Sequence, residues 1–217
     1  MNSLRLQQIS IRIDDKVLLE HFDVSVMPGE IVTIMGPSGC GKSSLLSLIC
    51  GTLEPIFQTS GAIMLNGDDI GGLPPENRRI GILFQDDLLF PHLSVGENLL
   101  FAMPVSIRPK RERLKRMEDA LVEADLKGFA DRDPHSLSGG QRARVALMRT
   151  LLSSPRCLLL DEPFSKLDRD LRERVRRFVF DHARDAGLPT LLVTHDAADA
   201  QAADGPVITF GGDPESA

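Results

Sequence analysis

The stretch IVTIMGPSGCGKSSLLSLIC, residues 31–50, constrains this chain more than any other. A short apolar run (31–35) leads into a glycine-rich loop and then into an apolar segment long enough for a helix. The loop GPSGCGKSS (36–44) fits G-x-x-x-x-G-K-[ST] in the strand–loop–helix setting that gives the pattern its meaning. Gly36, Gly39 and Gly41 let the backbone wrap closely around phosphate oxygens, and Pro37, Ser38, Cys40 and Ser44 complete the loop. The helix that follows adds its positive N-terminal end. Lys42 reaches the β- and γ-phosphates as a point charge, and the Ser43 hydroxyl can coordinate Mg²⁺. Cys40 reads as a small residue filling the loop, with a redox switch as the alternative.

Three further runs, IGILF (80–84), CLLL (157–160) and TLLV (190–193), are almost continuously apolar. Such runs suit parallel strands buried on both faces, and helical stretches between them imply an α/β core. Residues 4–26 instead alternate, with Ile9, Ile11 and Ile13 before a turn at 14–16 and Phe22, Val24 and Val26 after it. That is the pattern of a half-buried antiparallel hairpin. Residues 88–150 break the strand pattern. Pro109 suits a first helical turn, Leu114, Met117, Leu121 and Ala124 recur at helical spacing, and Gly128 is an expected helix end. A second helix is expected after LSGGQ, with Val145, Met148 and Leu152 on one side. The whole chain (1–217) reads as one domain, with the α/β core in 1–86 and 151–217 and a helical subdomain in 87–150.

CLLLDEP (157–163) ends an apolar strand on two acids. Asp161 is placed to hold Mg²⁺, and Glu162 to orient or deprotonate an attacking water. His195 ends the strand-like run LLVTH, a position from which it reaches the γ-phosphate. Gln85 follows IGILF; its neutral amide can bind a Mg²⁺-bound water and report phosphate occupancy to the helical subdomain.

Composition narrows the partners. Lys and Arg number 25 against 31 Asp and Glu, a net charge of −6, which argues against a general nucleic-acid binder. The basic run RPKRERLKR (108–116) is followed at once by acids, so a solvated helix face is the favoured reading over a partner contact. No window approaches the ~20 apolar residues of a membrane span, and the N-terminus lacks a signal-peptide run. The three cysteines have no metal-ligand spacing and read as reduced thiols of a cytoplasmic protein.

Taken in order, GPSGCGKS, Gln85, LSGGQ, LLLDEP, SKLD (165–168) and His195 resemble the ATP-binding subunits of ABC transporters along nearly the whole chain. The segment 73–99 looks most like the importer branch, and the overall pattern is similar to the YnjD-like group of such subunits. The resemblance implies a P-loop NTPase (RecA-like) core with a mostly parallel sheet, an N-terminal antiparallel β subdomain and an inserted helical subdomain. It implies a Mg-dependent ATPase working as a head-to-tail homodimer. Each ATP would lie between one copy's phosphate loop and the other copy's Ser138, Gly139, Gly140 and Gln141, with Asp168 coupling the two sites across the interface. Glu162 would be the catalytic carboxylate and His195 the switch histidine. Implied partners are membrane-spanning permease subunits on the cytoplasmic face and, for import, a substrate-binding protein.

Two residues depart from the family's pattern. Ile13 stands where an aromatic residue usually stacks on adenine, so GTP is expected to support hydrolysis nearly as well as ATP. Lys166 stands where a small or amide residue is common. With 22 residues after His195, regulation by an appended domain is not expected. An exporter or lipid-extraction ATPase, a soluble ABC-type ATPase and a small-molecule P-loop kinase are the alternatives; the kinase would explain 36–43 but not LSGGQ with Gln85.

Overall fold

The computed structural model describes residues 3–211, and the chain divides into two compact units. One comprises the residues up to Ile82, Arg156–Glu162 and the residues from Phe180; the other comprises Leu83–Pro155 and Pro163–Val179. The helical unit thus begins and ends a few residues outside 87–150 and also takes in 163–179.

In the first unit, β1 (Leu4–Ile13) and β2 (Lys16–Val26) form an antiparallel hairpin with Ile13 opposite Lys16. Asp14 turns the chain in the left-handed region at φ 48°, a conformation Asp tolerates better than most residues. Leu4, Leu6, Ile9 and Ile11 are buried and join the aliphatic core. β3 (Ile31–Met35) runs into the phosphate loop and α1 (Lys42–Cys50). β4 (Phe57–Leu65) and β5 (Asp68–Asp69) complete a sheet of order β2-β1-β4-β5. The short helix α2 (Pro75–Arg78) precedes β6 (Ile80–Leu83). Arg78 is buried, and its guanidinium donates to the carbonyls of Leu48, Ile49, Gly71 and Leu73 at 2.6–2.9 Å. Two of those carbonyls belong to the last turn of α1, so a cation closes the negative end of the helix that starts at Lys42.

The second unit is helical. α3 (Val95–Ala102) opens with a capping box, in which Ser94 accepts from the Glu97 N–H and Glu97 accepts from the Ser94 N–H. Its C-terminal carbonyls receive the guanidinium of Arg113 from α4 (Lys110–Glu123). α4 starts after Pro109 but ends at Ala124 rather than at Gly128. Asp125 takes the left-handed conformation there (φ 57°), with Leu126 N–H to Leu121 O at 2.7 Å and Asp125 N–H to Val122 O at 3.0 Å. These are the two bonds of a Schellman closure, with buried Leu126 and Leu121 as its apolar contact. α5 (Gly139–Leu152) packs Val145 and Met148 against Val95, Leu99, Met117 and Leu121. The start of α6 (Arg169–Asp185) also belongs to this unit.

The first unit resumes with β7 (Cys157–Asp161), β8 (Thr190–Val193), α7 (Ala197–Ala203) and β9 (Val207–Thr209). Its second sheet has the order β6-β7-β8-β3-β9, with β7, β8, β3 and β9 parallel. Every residue of β8 is buried, as sheet positions covered on both faces require. Because these strands are parallel, the ends of β3, β7 and β8 emerge on one edge, the usual place for a ligand in such sheets. No helix among the described residues is long and apolar enough to cross a membrane. The cysteines are free thiols; burial raises Cys50 to about 11 and lifts Cys157 further, which keeps both protonated and inert.

Candidate active site

At that edge the phosphate loop borders a pocket of about 230 Å³ lined by Leu18, Ser38, Gly39, Gly41, Lys42, Ser43, Ser44 and Glu162. The loop tolerates no side chain at Gly36. Its φ is 152°, and a Cβ would lie 2.6 Å from the Phe210 carbonyl and 3.0 Å from Cys40 Sγ. The Lys42 ammonium is nearly buried and donates to the carbonyls of Gly36 and Pro37 at 2.7 Å each, with Cys40 Sγ at 3.7 Å. Cys40 therefore packs under the lysine.

Asp161 ends β7, and Ser43 donates its hydroxyl proton to the Asp161 carboxylate. Burial raises the Asp161 pKa above the ordinary carboxylate value; the Ser43 bond opposes this, Glu162 adds to it, and Lys42 lowers it. Glu162 stands next in a left-handed conformation, φ 47°. For a residue with a Cβ that costs on the order of 1–2 kcal/mol. It is held by its N–H, which donates to the Val193 carbonyl at 2.9 Å. The side chain lines the pocket and is only 29% exposed. His195 Nδ1 lies 3.1 Å from Glu162 Oε1, within hydrogen-bonding distance. The turn presenting His195 is fixed from below: Thr194, buried, donates to buried Asp199 at 3.1 Å, and the Asp196 N–H donates to Thr194 Oγ1 at 3.1 Å. The first unit thus gathers residues 36–44, Asp161, Glu162 and His195.

The other predicted residues belong to the helical unit. Ser138 is the N-cap of α5, accepting from the Gln141 N–H at 3.3 Å, while Gln141 Oε1 accepts from the Ser138 N–H at 2.9 Å. LSGGQ is therefore a capping box that ends in Gln instead of Glu. The Ser138 side chain is exposed, and its hydroxyl proton remains available to donate. Gly140 is buried against α6, where a Cβ would meet Leu171 Cδ1 at 2.3 Å; at Gly139 the nearest atom would be 3.7 Å away. Only the second glycine is demanded by internal packing. Asp168 Oδ1 accepts from the Leu171 N–H at 3.0 Å. Gln85 is exposed, two residues beyond β6. Lys166 is ion-paired with Asp86.

Several participants carry no local sequence signal. Leu18 lines the pocket, whereas Ile13 ends β1 half-buried, opposite Lys16 and Phe57. Thr194 and Asp199 are found only through the fold, although Thr-His-Asp before a helix hints at a cap; Asp196 does accept from the Ala198 N–H at 2.8 Å.

Hydroxyl and carboxylate oxygens of Ser43 and Asp161, meeting beside Lys42, are the hard donors that suit Mg²⁺. No group of three or more His, Cys, Asp or Glu among the described residues could hold a metal.

Comparison with known proteins agrees with this chemistry. A profile described as ABC transporter matches residues 19–165. The "Uncharacterized ABC transporter ATP-binding protein YnjD" of Escherichia coli (strain K12) is 48% identical over 92% of this chain and 91% of its own length. The spermidine/putrescine import ATP-binding protein PotA of Marinobacter nauticus is 41% identical over 91% of this chain and 52% of its own. The Fe(3+) ions import ATP-binding protein FbpC of Pasteurella multocida is 40% identical over 95% and 58%. The chain thus spans little more than half the length of these two import proteins. A solved structure described as the dimeric post-hydrolysis state of the ATP-binding cassette MJ0796 bound to ADP and Pi matches with a TM-score of 0.78 at 29% identity, covering 95% of this chain and 94% of that one. With its phosphate loop, strand-end acids and capped LSGGQ helix, this chain belongs to the ABC transporter family and is an ATP-binding cassette ATPase.

Proposed function

We propose that the chain hydrolyses ATP as a head-to-tail pair of copies and that this energises transport, in the import direction, through separate membrane permease subunits on the cytoplasmic face. One observation carries the reading. The phosphate loop, Asp161, Glu162 and His195 are gathered in one unit, while the capped helix start that would complete the site belongs to another unit and keeps Ser138 exposed. A second copy as the source of the other half is supported by the matched cassette, which is described as dimeric. The import direction is supported by the relatives named for spermidine/putrescine and Fe(3+) import.

In this mechanism Lys42 exchanges its two carbonyl partners for phosphate oxygens, and the loop's N–H groups hold the remaining charge. Ser43 and Asp161 would hold Mg²⁺, with Gln85 as a further candidate, and the cation would neutralise charge on the phosphate oxygens. Glu162 accepts a proton as water attacks the γ-phosphorus and the bond to ADP breaks. His195, at 3.1 Å, orients that carboxylate and contacts the γ-phosphate. From the second copy, Ser138 and the N–H groups of Gly139 and Gly140 donate to the same phosphate, Gln141 holds the cap, and Asp168 couples the sites. Only ATP offers a γ-phosphate to both halves, so ATP closes the pair and hydrolysis reopens it.

Membrane partners are proposed to dock on the helical unit, where Phe101 is 67% exposed and stands edge-on to Phe90 at 4.9 Å. Leu88 is exposed in the same segment, and the Arg149 guanidinium lies 5.7 Å from the Phe90 ring. Exposed aromatics beside a cation are typical interface anchors.

The test is Glu162→Gln with saturating Mg-ATP, followed by light scattering on a sizing column. A stable dimer that dissociates when ATP is replaced by ADP is expected. A variant that stays monomeric while binding ATP overturns the sandwich.

A further inference from the structure

Asp86, Asp87 and Leu88, which follow Gln85, are each held by a cation. Lys166 pairs with the Asp86 carboxylate. Arg142 Nε donates to Asp87 at 3.1 Å, while its Nη1 donates to the Leu137 carbonyl at 2.7 Å. Arg149 donates to the carbonyls of Leu88 at 2.6 Å and Asp87 at 3.2 Å. Two of these cations sit on α5, directly behind LSGGQ. The third comes from the SKLD segment, 80 residues away along the chain.

We propose that Lys166 and Asp86 form a breakable tie that positions Asp168 relative to Gln85, so that the two ATP sites of a dimer respond to one another. This rests on the dimer reading above, in which Gln85 serves the chain's own site and Asp168 faces the other. The SKLD turn can transmit a pull on Lys166. Asp168 caps α6 through the Leu171 N–H at 3.0 Å, and Phe164, at the start of the turn, is buried. Arg172 extends to the carbonyls of Ser165 and Leu167, at 3.4 Å each. A shift of Lys166 therefore moves a compact turn that ends in Asp168, not a loose loop. On the other side, Arg142 and Arg149 fix the register of 86–88 against α5, so Asp86 is a defined anchor.

Charge supports the pairing. Burial raises the Asp87 pKa, Arg142 opposes that, and Asp86 adds repulsion that Lys166 relieves. A small residue at 166 would leave the adjacent carboxylates balanced only by Arg142 and Arg149, both on α5 and nearer Asp87. The Lys166 and Asp86 side chains are 54% and 65% exposed, so the pair is worth only about a two- to fivefold bias. A weak contact suits a part that must make and break in each cycle, since a coupling element needs two states of similar free energy.

The experiment uses the purified full chain. The Hill coefficient for ATP hydrolysis is measured for the parent, Lys166→Ala, Asp86→Ala, Lys166→Arg and the swap Lys166→Asp with Asp86→Lys. Either alanine variant is expected to bring the coefficient close to 1 while changing kcat/KM by no more than about fivefold. Lys166→Arg and the swap are expected to recover the parent coefficient, and 1 M salt to lower the parent's toward that of Lys166→Ala. The inference is overturned by a parent coefficient of 1, by alanine variants that keep the parent value, or by a loss that neither Lys166→Arg nor the swap restores. The dimer itself is judged separately, by Glu162→Gln: if that variant dimerises and Lys166→Ala keeps its cooperativity, only the tie fails.

Discussion

Ile13 ends β1 beside the hairpin turn, at the position where the resemblance to ABC subunits leads to the expectation of an aromatic residue against adenine. An aliphatic side chain keeps apolar contact but loses the stacking term, about 0.5–1.5 kcal/mol. GTP is therefore expected to give kcat/KM within about fivefold of ATP, and Ile13→Tyr to lower KM for ATP about two- to tenfold. Steady-state kinetics with both nucleotides decide it, and a large preference of the parent for ATP removes the idea. Residues of this kind were legible because their chemistry needs neighbours in sequence: a lysine after glycines, two acids at a strand end. Lys166 with Asp86 and Arg78 with the end of α1 were not, since nothing local marks partners 80 and about 30 residues apart.

Helix α5 shows how packing divides roles that sequence treats alike. Two adjacent glycines follow the Ser138 cap, yet only Gly140 has α6 pressed against it. Gly140→Ala is expected to lose about 1–3 kcal/mol to overpacking, offset in part by better helix propensity. Gly139→Ala is expected to be neutral or slightly stabilising. Thermal unfolding should show a fall of a few degrees for the first alone; equal effects would contradict the packing. Among the other elements, strands buried on both faces announced themselves as apolar runs, and β8 matches its run residue for residue. β4 did not, because Gln58, Thr59 and Ser60 near its start are polar and exposed, and β9 is a short edge strand. The end of α4 was misplaced because Asp125 performs a closure that glycine usually performs.

For the whole molecule, the division between an α/β unit that gathers residues 36–44, Asp161, Glu162 and His195 and a helical unit that carries exposed aromatics matters most. Phe101→Asp is expected to reduce the fraction of chain recovered with membranes without changing its thermal unfolding. Unchanged recovery would move the docking surface elsewhere. The need for a second unit was legible from the break in strand pattern after Gln85. Its inclusion of 163–179 was not, because α6 belongs to both units and its sequence shows no boundary. Glu162 has one more consequence. Its φ of 47° is a conformation that glycine adopts freely. Glycine there would relieve local strain on the order of 1 kcal/mol and abolish the proposed base. With Glu162 as the base proposed above, selection for thermal endurance alone would drift away from turnover at this position.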